Sequence, residues 1–147
     1  KTYDLSGPGA IFSGPKGTME ADKTIIYDLQ NVMKKQVIGQ GNASFKGEDG
    51  RIVEGDYVLV FLDKNGTVKI INAEGDTKVV TPQGIVATAD RLDYVAATDR
   101  ADLYGNVEII DRGNVLRGAR AEVEFDKEIS RLLSDKSGKR VTGVLSP

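Results

Sequence analysis

Along much of the chain, apolar and polar residues alternate one for one, the period of a strand with a single dry face and not that of a helix. In the stretch LYGNVEIIDRGNVLRGARAEVEF, residues 103–125, a strand-like run, a Gly-Asn turn and a second strand-like run follow one another. The second run sets Ala119, Ala121, Val123 and Phe125 on one side against Arg120, Glu122 and Glu124 on the other. RLDYV likewise puts Leu92 and Tyr94 on one face, with Arg91 and Asp93 opposite. YVLVFL, residues 57–62, is apolar on both faces, which predicts a strand covered on both sides or facing an apolar space of ligand size. The only helix-like stretch, DLQNVMKKQ from Asp28, is short and reads as β or loop.

The alternation recurs in four segments: TMEADKTIIYD (18–28), RIVEGDYVLVFLD (51–63), IVATADRLDYV (85–95) and VLRGARAEVEFD (115–126). Aligned on their small residues, Ala21, Gly55, Ala89 and Gly118, they are 34, 34 and 29 residues apart, a spacing of stacked repeat units. A glycine-led strand is expected before each, starting at Gly7, Gly39, Gly75 and Gly105, so the unit is strand, turn, strand, turn. Asn65-Gly66, between two apolar runs, predicts a hairpin in which both central residues take positive φ. Glycine punctuation returns at Asp49-Gly50, Gln83-Gly84, Arg112-Gly113 and Ser137-Gly138. Asp111-Arg112-Gly113 is a turn, and turn preference accounts for its acid without a metal. The chain is therefore all-β, a single domain over residues 1–147, with an inner side of Val, Leu, Ile and Tyr. Five Tyr, four Phe and no Trp leave that side short of bulky plugs.

Chemistry is limited by what is missing. With no Cys, disulfides, thiolate zinc sites and thiol nucleophiles are excluded. With no His, the Ser-His-Asp and Cys-His pairs and His-ligated zinc go too. Paired carboxylates could run a glycosidase mechanism, but nothing marks two acids converging on a cleft. The chain is expected to be non-enzymatic, with no cofactor and no metal. A net charge of −2, from 20 basic and 22 acidic residues, offers no basic stripe for nucleic acid. No apolar run nears the ~18 residues that cross a bilayer, and residues 1–17 lack the charged start and apolar block of a secretory signal. A soluble chain is expected, and its start at Lys fits a processed or trimmed product.

The closing segment SDKSGKRVTGVLSP (134–147), together with LYGNVEII and the basic-small step RGAR, resembles the OstA family of periplasmic lipopolysaccharide transport proteins, the LptA family. The likeness is strongest over residues 84–147 and the four-unit layout continues it toward the N-terminus. It implies a twisted, V-shaped antiparallel β-jellyroll, open at both ends, in the periplasm. It further implies that lipopolysaccharide acyl chains lie in an apolar groove between two sheets. Such jellyrolls join head to tail between LptC-like and LptD-like partners and catalyse nothing. On that footing the edges near residues 3–12 and 140–145 are docking surfaces, and Pro8 and Pro15 remove ladder donors at the N-terminal one.

Groove candidates are Tyr94, Ile26, Val58, Val60, Val79, Leu92, Val107, Ile109 and Val123. Ordinary core packing accounts for any one of them, since every sheet needs a dry face. Tyr94 stands out, because it matches an aromatic position in the family's third repeat and its hydroxyl suits the border between apolar gap and wet rim. The charged steps Asp22-Lys23, Asp90-Arg91 and Gly118-Ala119-Arg120 are expected on the solvated face with no binding role. Lys136, Lys139 and Arg140 could steer an anionic glycolipid or an acidic partner, although a polar end strand needs no ligand to explain it. Other readings from the same pattern are the related jellyroll of LptC or the N-terminal part of LptD, a repetitive adhesin or interaction module, and a carboxylate-based glycan hydrolase.

Overall fold

The computed structural model describes residues 2–6, 9–14, 16–28, 35–127, 129–133 and 142–144, with β1 and β12 described by backbone alone. Among the described residues twelve strands follow in order: β1 (Thr2–Ser6), β2 (Ala10–Gly14), β3 (Gly17–Ala21), β4 (Thr24–Asp28), β5 (Lys35–Gly47), β6 (Ile52–Leu62), β7 (Val68–Val80), β8 (Val86–Val95), β9 (Arg100–Asp111), β10 (Asn114–Glu124), β11 (Ile129–Leu133) and β12 (Thr142–Val144). One 3-10 turn, Ala96–Thr98, joins β8 to β9. All pairings are antiparallel, in one unclosed sheet ordered β1-β4-β5-β6-β7-β8-β9-β10-β11, with β2 on β3, β3 on β5 and β12 on β10. Among the described residues no helix is long and apolar enough to cross a membrane.

The long strands bend in the middle. Register breaks between Gln40 and Ala43, Glu54 and Tyr57, Glu74 and Thr77, Thr88 and Arg91, and Gly118 and Arg120 line up across the sheet as one hinge. On one side lies a first arm, ending in the turns at residues 47–51, 81–85 and 111–114. On the other lies a second arm, ending in the turns at 62–68, 95–100 and 124–127. Short strands obey the same plan: β2 and β3 pair in the first arm while β1 and β4 pair in the second, and β12 and β11 pair with the two halves of β10. The apolar faces of both arms share one core cluster, so the sheet is folded on itself.

Three Gly-Asx pairs make the hinge. Gly41-Asn42, Gly75-Asp76 and Gly105-Asn106 each place two successive residues at positive φ, +81° and +41°, +77° and +48°, +78° and +49°. Such a bulge inserts residues into one strand and sharpens its twist. The glycines expected to start strands therefore lie inside them: Gly39 in β5, Gly75 in β7 and Gly105 in β9. A bulge and a strand-initiating turn want the same residues, which is why the pattern misled. Of the remaining one, Gly7 lies outside the described residues. Ala21, Gly55, Ala89 and Gly118 all sit at this hinge, where a Cβ on Gly55 would come 3.1 Å from the Glu74 carbonyl oxygen. Each unit crosses the hinge once on its outward strand, and the 34-residue spacing records that crossing.

A side-chain lock spans two of the bulges. Asn42 Nδ2 donates to Asp22 at 2.9 Å and Asn106 Nδ2 donates to Asp90 at 3.0 Å. The charged steps holding Asp22 and Asp90 thus have a structural task on the surface. At the third bulge Asp56 lies against Gly75 as Asp90 does against Gly105, but the asparagine position is taken by Asp76, so both side chains are acids. Asp76→Asn is expected to restore the missing bond and raise stability by about 0.5–1 kcal/mol, read as a higher urea midpoint at unchanged m-value. No gain would show that the lock contributes nothing at an exposed bulge.

Turn chemistry is regular. At 47–51, 63–67 and 81–85 the first residue bonds the fifth through its N–H, and the fourth, Gly50, Gly66 or Gly84, holds positive φ. The Asn65-Gly66 hairpin is present, but Asn65 is not left-handed, because the loop is one residue longer than a two-residue turn. Both central residues are left-handed instead at Arg112-Gly113, +52° and +81°.

The dry face is built in rows across the strands. One row runs Tyr27, Val37, Val60, Ile71, Tyr94, Ala101, Val123, and the next Ile25, Gly39, Val58, Ala73, Leu92, Leu103, Ala121. In β4 the buried residue is Ile25, at 0 % exposure, while Ile26 sits on the outer face beside Ile38. Two adjacent isoleucines carry no parity signal, and the register chose the other one. Leu59 and Phe61 of β6 are part-exposed on the same outer face, so β6 is not covered on both sides by the described residues. Ala119 leaves the alternation as the extra residue of the Gly118–Arg120 bulge.

Candidate functional site

Near the tips, the two arms enclose an unfilled apolar space of about 190 Å³. Phe45, Val53 and Val79 line it from the first arm; Val68, Ile71, Leu92, Ala101, Tyr94 and Phe125 line it from the second. Small residues create the room, since Ala101 follows Tyr94 in the row where a larger chain would close the gap. The rim is polar, formed by Lys16, Glu48, Asp49, Arg51 and Thr67.

Across this rim runs a compact network. The Arg51 guanidinium, from the 47–51 turn of the first arm, grips both carboxylate oxygens of Asp99, from the β8–β9 turn of the second; the Nη2 bond is 2.9 Å and the Nη1 bond goes to Oδ1. Arg51 Nη1 also donates to the Tyr94 hydroxyl at 3.0 Å, and that hydroxyl donates to Asp99 Oδ1 at 2.8 Å. Behind them the guanidinium lies 4.9 Å from the centroid of the Phe125 ring, whose backbone N–H bonds the Asp99 carbonyl. Asp99 itself is left-handed at φ +49°, which swings its carboxylate toward Arg51. A bidentate, aromatic-backed arginine of this kind is well ordered in a way a surface lysine pair is not.

The network shifts the ionisation of its members. Hydrogen bonding to Arg51 holds the Asp99 carboxyl below its ordinary value, outweighing burial. Burial first, then the bond to Asp99, pushes the Tyr94 hydroxyl up, so it stays protonated throughout the neutral range. A depressed carboxyl contributes stability that is complete above its unfolded value, near pH 4, and lost as pH falls through the lower folded value. Asp63, held down mainly by the Thr67 N–H, acts with the same sign. Melting curves taken below about pH 4 should therefore fall with pH, and Asp99→Asn should flatten part of that slope and leave the Asp63 part. An unchanged acid slope in Asp99→Asn would mean the pair is not formed in solution.

Of the nine groove candidates, Val79, Leu92 and Tyr94 line this space. Val58, Val60, Val107, Ile109 and Val123 are buried in the core and do not line it, Val60 and Val123 lying beside the lining residues Ile71 and Ala101, and Ile26 faces outward. Pattern reasoning passed over Phe45, Ile71, Val68 and Phe125, which alternation could have supplied, and Arg51 with Asp99, which 48 residues of separation hide. Lys136, Lys139 and Arg140 lie outside the described residues. Among the described residues no three His, Cys, Asp or Glu side chains come together to hold a metal ion.

The comparisons with known proteins agree with this architecture. No curated protein matches the chain by sequence. Among solved structures, the fold is similar to that of LptH, the LptA-homologous periplasmic component of the lipopolysaccharide transport device of Pseudomonas aeruginosa. The TM-score is 0.72 at 16 % identity, over 88 % of this chain and 94 % of that one. The likeness shows the same jellyroll fold. Residues 16–129, spanning both arms and the hinge, match the sequence profile described as "LptA/(LptD N-terminal domain) LPS transport protein". The chain belongs to that lipopolysaccharide transport family.

Proposed function

We propose that the chain is a non-enzymatic periplasmic carrier, one jellyroll unit that holds lipopolysaccharide acyl chains between its arms and passes them along a head-to-tail bridge. The observation that carries this reading is the unfilled apolar space between two arms of an unclosed sheet, with charge only at the rim. A dozen exposed methylenes cost roughly 10 kcal/mol at ~0.8 kcal/mol each, so free passage through water is too rare to serve. Val79, Leu92 and Tyr94 are the lipid contacts among the sequence candidates. Strand pairing supplies the joints: among the described residues β1 and β2 each pair on one side only, as do β11 and β12, leaving an edge at either end for LptC-like and LptD-like jellyrolls or a second copy.

A photocrosslinking residue in place of Ile71, inside the space, should capture lipopolysaccharide, while one in place of Ile110, 37 % exposed on the outer face, should not. Equal capture at both positions would reduce the binding to nonspecific surface association and end the carrier reading.

A further inference from the structure

The rim network sits where a sliding lipid would have to pass. Ion pairs such as Arg91–Asp93, Arg117–Glu108 and Arg131–Glu124 each stay within one arm, whereas Arg51–Asp99 crosses from the first arm to the second. Backbone bonds at the tips, Phe125 N–H to Asp99 and Glu48 N–H to Lys16, also stay within one arm. The arms share backbone at the hinge and an apolar core, and Phe12 of the first arm stacks near Tyr27 of the second at 4.3 Å; among the described residues this network is the polar link that crosses between them, beside the apolar space. A molecule whose alkyl chains lie in the gap while a bulky headgroup stays in water must trail that headgroup through the open side as it moves along. That passage needs an unbroken slit, and Arg51–Asp99 is a rung across it.

We propose that Arg51, Asp99 and Tyr94 form a releasable clasp over the open side of the groove, which parts to let each headgroup-bearing lipid through and closes behind it. This rests on the carrier reading above. The composition of the clasp suits release. A paired, half-buried arginine and carboxylate regain hydration when separated, so opening exchanges partners with water and does not strand a buried charge. Tyr94 Oη, bonded to both ions, loses its partners at the same moment, which makes opening cooperative.

Because the chain has no cysteine, two can be added and labelled uniquely. Spin labels at Gln83→Cys, on the 81–85 turn, and Ala97→Cys, on the β8–β9 turn, report the spacing of the arms from exposed positions outside the clasp. The unliganded protein should give one narrow distance; Asp99→Asn and Arg51→Gln should lengthen and broaden it, and lipopolysaccharide should shift the parent protein toward the longer distance. Association of fluorescent lipopolysaccharide should be about tenfold faster in Asp99→Asn, the ratio expected on losing a charged hydrogen bond from the closed state. Should either variant fail to fold by circular dichroism, Tyr94→Phe, which keeps the ring and removes only the hydroxyl, should still give a smaller widening. Identical distances and rates in all variants, with lipid bound, would overturn the clasp and leave the carrier standing. Absence of binding to the parent protein would overturn the carrier, and the unliganded distances would then decide the clasp alone.

Discussion

Gly105→Ala is expected to lower stability by about 2–4 kcal/mol in urea unfolding, one of the largest effects of any alanine in the chain. Two costs combine at this position. The backbone is left-handed at φ +78°, which charges an L-residue about 1–2 kcal/mol. A Cβ there would also run into the Asp90 carboxylate, which is held in place by Asn106. The two costs can be separated, because Gly84 and Gly66 have the same sign of φ, +93° and +80°, with no atom within 4 Å of the added carbon. Gly84→Ala should show the backbone cost alone, about 1–2 kcal/mol. Coupling to Asp90 should then appear in a double-mutant cycle with Asp90→Ala, as a loss smaller than the sum. If Gly105→Ala costs no more than Gly84→Ala, crowding does not shape the hinge and the role given to the Gly-Asx pairs is wrong.

That hinge marks where reading from sequence succeeded and where it stopped. Alternation in residues 119–125 and 91–95 is enough to make the chain β and to place Leu92 and Tyr94 on the dry side. The spacing of Ala21, Gly55 and Ala89 is real, but its cause, a fold line crossed once per unit, is a property of the whole sheet. Gly-Asx pairs look alike in a bulge and in a turn, so Gly75 and Gly105 could not be assigned from local chemistry. Polarity is blurred as well. The outer face of the first arm carries Ile52, Val80, Val86, Ile110 and Val115 in register, so an apolar residue does not by itself mark the inside. Cross-strand pairs of β-branched residues stabilise a sheet on either face, and that preference competes with the burial signal. Arg51 and Asp99 meet only because one hairpin folds over another, a contact no periodicity encodes.

Val68→Phe is expected to weaken lipopolysaccharide binding about tenfold or more while leaving stability unchanged or slightly raised. Val68 opens β7, is part-exposed and lines the space between the arms. A ring directed inward there would take up room otherwise available to two or three methylenes, each worth ~0.8 kcal/mol to the bound chain. In the unliganded protein the same ring replaces emptiness with contact, which favours the fold. Opposite signs on binding and stability separate a groove that must stay empty from an imperfectly packed core. A core defect would give a stability gain and no change in lipid capture; a groove gives both. Ile70→Ser, two residues along on the outer face, should leave binding untouched, since Ile70 pairs with Val95 away from the gap. Full binding in Val68→Phe, titrated with lipopolysaccharide, would place the acyl chains somewhere other than between the arms, and the width of that gap, with the clasp that sets it, would then have no bearing on transport.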